Sequence, residues 1–213
     1  MAAHEDSIGA FSVFHHKGLE YLCNTALCLW ALLFNITMLA DFLNRHRVSS
    51  LLLAVFEAAV VYFSVTRPMP KESNKSLYDW FIALTGTYLI FGMRPAPQVH
   101  DHLPLLLVQI AGITISLMGL FSLNKSFGLV PVNRGIKTGG LYAVVRHPIY
   151  AGYFLSFGTF LAQNITAVNV VVYGTFVVFA LLRMRAEERV LLRDRTYAAY
   201  ARKTRWRVLP FIY

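Results

Sequence analysis

Charged side chains are scarce in this chain: Asp, Glu, Lys and Arg make up 15% of its 213 residues, where soluble domains carry about 25%. Only 11 are acidic. Together with 56% hydrophobic residues and a mean hydropathy of +0.51, this scarcity excludes a disordered chain and argues against an ordinary soluble fold. Cysteine is nearly absent. Cys23 and Cys28 lie in one apolar stretch without CxxC spacing or a second cluster to meet, so no disulfide framework, redox pair or metal site is expected. Also missing are a GxGxxG or phosphate loop, internal repeats and low-complexity tracts. The first 18 residues include His4, Glu5, Asp6, His15, His16 and Lys17 and lack the basic start, apolar run and cleavage site of a signal peptide. The first apolar run is therefore expected to insert and stay.

What the chain does have is basic charge, +9 in total, distributed between apolar runs rather than over one polar face. That distribution fits a membrane protein and speaks against nucleic acid as a partner. Runs at 19 to 42, 50 to 66, 77 to 93 and 103 to 123 each approach the length of about 20 residues that a bilayer requires. The stretch from 148 to 182 is too long for one crossing: as a single helix it would reach roughly 50 Å against about 30 Å of hydrocarbon. Its polar point is Gln163, Asn164 and Thr166, so a helical hairpin is expected, with arms from 149 to 163 and from 167 into the charged tail.

Charge counting supports the hairpin. With six membrane segments, alternate loops carry 17 basic residues on one side and 3 on the other; with five segments the split would be 8 against 12. Cytoplasmic loops accumulate Lys and Arg, which puts both termini, the loop from Asn124 to His147 and the tail from Arg183 on the cytoplasmic side. The expected fold is therefore all-α: a polytopic helical membrane protein with four spans, a C-terminal helical hairpin and a cytoplasmic tail helix. So compact a chain with both termini inside suggests a bacterial inner membrane.

The loop reads KSFGLVPVNRGIKTGGLYAVVRHPIYAGY. Pro148 suits the first turn of a helix, so RHP reads as a helix start that delivers Arg146 and His147 to the membrane surface, with Tyr150 and Tyr153 on the first turns. A positive-inside anchor with interfacial aromatics explains the same residues. The tail reads RMRAEERVLLRDRTYAAYARKTRWRVLP. Arg183 and Glu187 share a helix face at i and i+4. The adjacent Glu187 and Glu188 stand out among nine cations, although a solvated helix laced with weak ion pairs has the same composition.

Together, RHPxY, a hairpin, RxRxEE some 35 residues later and YxxYxxxxRWRxLP resemble the isoprenylcysteine carboxyl methyltransferase family of integral membrane methyltransferases. Phospholipid N-methyltransferases and methanethiol S-methyltransferase-like proteins share much of the pattern. The resemblance covers residues 103 to 210, about half the chain. It implies a division into N-terminal helices on the acceptor side, 1 to 102, and a methyltransferase core, 103 to 213. It also implies S-adenosylmethionine bound at the cytoplasmic surface, with a lipophilic or prenylated acceptor entering from the bilayer. The family's cofactor positions map onto Tyr142, His147, Tyr150, Arg183, Glu187 and Glu188. Two departures affect the local shape of the pocket. GGLYAVVRHP stands where many members have GPYxxxRHP, and the linker from Glu188 to Tyr197 is shorter than in many relatives.

The residue types suit that ligand. An arginine matches a carboxylate, a glutamate matches a ribose or an amine, and tyrosine faces favour onium ions. An acceptor that must lose a proton would use His147 as base. Arg146 or Arg134 is assigned to an anionic acceptor, with headgroup phosphate contact as the alternative. A sterol-type reductase using NADPH, and a noncatalytic subunit or assembly factor bound to a membrane-protein partner, are the competing functions.

Remaining polar features have narrower readings. Glu57 lies mid-span, where ionisable groups default to function; a neutral acid bonded to a neighbouring helix is the alternative. Asp41 and Asp79 fall near span ends, where solvation is expected. Gly112, Ser116 and Gly119 permit close helix contact. His100 and His102 fall opposite His4, His15 and His16, so no shared metal site is expected. The sequon at Asn164 reads as a chance match.

Overall fold

The computed structural model describes residues 2–66, 76–97, 99–123 and 136–212, and their regular structure is helical throughout. Helix α1 spans Ala2–Arg45, α2 Val48–Thr66, α3 Leu77–Tyr88, α4 Leu103–Leu123, α5 Pro148–Gln163, α6 Ala167–Leu191 and α7 Arg195–Lys203. Four of these are long and apolar enough to cross a membrane: α1 over Tyr21–Arg45, α2, α4 and α6. At most 39% of any of their apolar windows is buried inside the protein. The remaining apolar surface, Leu29, Leu33, Val171 and Val178 among it, faces outward as contact with lipid requires. The chain is a polytopic helical membrane protein.

The hairpin forms where expected. Asn164 closes α5, and Thr166 caps α6 by accepting from the Asn169 amide at 3.1 Å. The run from 77 to 93 differs from expectation. After 12 residues α3 tightens into a 3-10 turn, Leu89–Gly92, and the chain becomes extended at Met93. Pro95 and Pro97 then forbid a helix, so this element reaches only about 26 Å. The fourth long helix is instead α6.

Three connections gather at one end of the bundle: the turn between α1 and α2, residues 93–97 with 99–102, and the α5–α6 turn. Arg47 donates from Nε to Asp41 Oδ2 at 2.7 Å and from Nη1 to Asn164 Oδ1 at 2.9 Å, and the Ala96 amide also donates to Asn164 Oδ1. The Ser49 amide donates to Asp101, and that of His102 to Gln163. Asp41 is therefore buried against a guanidinium rather than solvated as its position suggested, and the Asn164 sequon side chain is wholly buried. Asp79, at the start of α3, is likewise buried, 3.8 Å from Arg189. The opposite end collects the start of α3, the 3-10 turn Gly140–Ala143, the start of α5, and α7.

One core joins both halves of the chain, with Phe34 and Phe91 packed on Phe157, Phe160 and Phe176. The closest helix contact is α4 on α5, where Gly112, Ser116 and Gly119 meet Ser156, Gly152 and Ile149. A Cβ on Gly152 would collide with the Gly112 carbonyl and the Ser116 amide, both backbone, as well as with the Ser116 hydroxyl. Gly152→Ala is thus expected to push these helices apart and cost about 1–3 kcal/mol. A thermal unfolding series in detergent checks it, and an unchanged midpoint would show that the contact is looser than this.

Candidate functional site

The site lies where α5 begins and α6 ends. His147 sits just before Pro148 at the first turn of α5, and its amide would be left over at a helix start. The tail satisfies it: the His147 amide donates to the Arg207 carbonyl at 2.7 Å and that of Arg146 to the Trp206 carbonyl at 2.9 Å. This strap fixes RHP against the segment that follows α7. Asp194 caps α7 through the Thr196 amide, and α7 turns Tyr197 and Tyr200 onto Tyr142. Tyr200 donates to the Tyr142 carbonyl at 2.6 Å, and burial pushes its hydroxyl up to about 12. Burial raises Tyr142 and Tyr197 further, so all three stay neutral near pH 7.

Eight side chains converge. Glu188 is the hub: Arg146 Nη1 lies 3.2 Å from Oε1, His147 Nε2 lies 3.3 Å from the same oxygen, and Arg207 Nε donates to Oε2 at 2.8 Å. Its side chain is only 3% exposed. Glu187, the next residue, points elsewhere. Its Oε1 accepts from Tyr150 at 2.9 Å and from Arg183 Nε at 3.0 Å. Its Oε2 meets only His147 Nδ1, at 3.8 Å, among the described residues, and its side chain is 21% exposed. Arg183 also donates from Nη1 to Thr87 on α3 at 2.8 Å, and its guanidinium lies 5.8 Å from the Tyr150 ring centroid.

A carboxylate only accepts, so Nε2 of His147 carries a proton toward Glu188 Oε1, while Nδ1 faces Glu187 Oε2 at 3.8 Å, beyond hydrogen-bond length. One donor is left over: Arg146 Nε is buried without a hydrogen-bond partner among the described residues. The cluster thus offers an open carboxylate oxygen, a spare guanidinium N–H, an imidazole edge and a tyrosine face within one small region.

The structure brings together Arg146, His147, Tyr150, Arg183, Glu187 and Glu188, and sets Tyr142 beside them in the tyrosine cluster. Arg134 lies outside the described residues. Two participants were not singled out from the sequence. Arg207 stood in the RWR motif without an assigned role, whereas Thr87 is one of two threonines in an apolar run and gave no signal.

Fold and site together define a helical membrane protein carrying a buried Arg–Glu–His cluster at one end of its bundle. The chain belongs to the NnrU protein family, which matches residues 47–212 and so takes in every member of the cluster. No curated protein matches the sequence.

Proposed function

We propose that the protein is a membrane methyltransferase that uses S-adenosylmethionine to methylate a lipophilic acceptor, in the manner of the carboxyl methyltransferase family its motifs resemble. The observation that carries the reading is the pair of unfilled valences at the cluster: Glu187 Oε2 as acceptor and Arg146 Nε as buried donor. A buried, unpaired polar atom is costly and calls for a partner. The ligand's carboxylate matches Arg146, its ribose hydroxyls or amine match Glu187 Oε2, and the Tyr150 face suits its sulfonium.

When bound, the cofactor supplies an electrophilic methyl group. The protein's own part is alignment and exclusion of water. Tyr150 and Arg183 hold Glu187 by one oxygen, so the other keeps a fixed direction. Glu188 holds His147 by Nε2, so Nδ1 is the atom that takes the proton from a thiol or amine acceptor; a carboxylate acceptor needs no base. The reading puts this end in the cytoplasm, because the loops assigned to it carry 17 of the 20 basic residues, and a bacterial inner membrane suits so compact a chain.

Membranes containing the protein, given the cofactor with a labelled methyl group, are expected to pass label into material extractable by organic solvent. His147→Ala is expected to lower that transfer at least about tenfold for a thiol or amine acceptor. Label that never exceeds the level in membranes lacking the protein would count against the proposal.

A further inference from the structure

Glu57 lies in the middle of α2, fully buried, in a position the cluster above does not use. Its Oε2 accepts from the Tyr153 hydroxyl at 3.2 Å, and its Oε1 is buried with no hydrogen-bond partner among the described residues. The surroundings are aromatic. The Tyr153 ring stacks on Phe157 at 5.7 Å and lies 5.0 Å from Phe56 and 6.1 Å from Phe176. No cation bonds to Glu57 among the described residues, and an unpaired carboxylate at such depth is strongly disfavoured against the neutral acid. Because Oε2 already accepts from Tyr153, the acid proton belongs on Oε1, where it forms a donor with nothing to bond.

Position ties this donor to the cluster. Tyr153 follows Tyr150, the partner of Glu187, by three residues on α5, which places it about 4.5 Å deeper along the helix. We propose that Glu57 and Tyr153 form an intramembrane binding site for the head of a lipophilic molecule that presents a lone pair, such as a hydroxyl or thiol, to Glu57 Oε1. That molecule is the methyl acceptor, an assignment that rests on the methyltransferase reading; the site itself rests on the orphaned oxygen and its apolar enclosure. The aromatic walls accept the hydrocarbon, while the single donor selects a chain ending in a lone-pair atom over a plain alkane.

The test is infrared difference spectroscopy on the full chain in nanodiscs, following the carbonyl stretch of the protonated Glu57 carboxyl, with 1-octanol and octane as probes. The near-isosteric Glu57→Gln removes the band and so identifies it. Octanol is expected to shift the band to lower frequency, and octane is expected to leave it in place. No shift with octanol, an equal shift with octane, or a shift that persists in Glu57→Gln would overturn the proposal. Failure of the protein to bind S-adenosylmethionine would remove the acceptor assignment and leave an octanol shift standing, so the two readings fail separately.

Discussion

Glu188→Ala is expected to destabilise the protein by about 3–5 kcal/mol, because it deletes the common partner of three groups while leaving them in place. Arg146 and His147 have side chains only 10% and 6% exposed, and they would face each other across a cavity with no anion between them. Arg207 is 35% exposed and can turn to water. Its release carries a second cost, because the carbonyls of Trp206 and Arg207 hold the start of α5. Chemical unfolding in detergent measures the loss. A drop below about 1 kcal/mol would mean that the cluster is solvated and contributes no more than a surface ion pair.

Glu187→Gln is expected to cost less stability, because its hydrogen bonds survive although Arg183 loses its anionic partner, and to lower affinity for S-adenosylhomocysteine at least tenfold. The amide still accepts from Tyr150 and Arg183 through its oxygen. The second oxygen becomes an NH2 group, which cannot accept from a ribose hydroxyl or an amine. A hydrogen bond to a charged group contributes about 1.5–3 kcal/mol, which is roughly a factor of 10–100 in affinity. Calorimetric titration of the variant beside wild type reads the difference. Equal affinities would show that Glu187 Oε2 is not the ligand's partner.

The opposed fates of two adjacent glutamates mark the limit of what sequence can tell. Their neighbours in the motif identify both, but successive helical residues point about 100° apart, and only the packing of α6 decides that Glu188 turns inward to Arg146 and Arg207 while Glu187 keeps an edge open. The hairpin was legible because an apolar stretch too long for one crossing carries a polar point at Gln163 and Asn164. Legibility failed at α3, since hydropathy from 77 to 93 does not reveal the shift to 3-10 winding at Leu89. It also failed at Asp41. Proximity to a span end suggested solvation, whereas the turn at His46, with φ 57°, swings Arg47 back to bury the carboxylate. Arg207 was hidden for a plainer reason: it is one of nine basic residues in the tail, and only its line-up beside His147 distinguishes it.

Titration of the purified wild-type protein with S-adenosylhomocysteine tests the central claim most directly, because it needs no knowledge of the acceptor. Saturable binding of one molecule per chain, lost with Glu187→Gln and retained with Glu57→Gln, is the expected result. A well-folded protein that takes up no ligand would contradict the methyltransferase account.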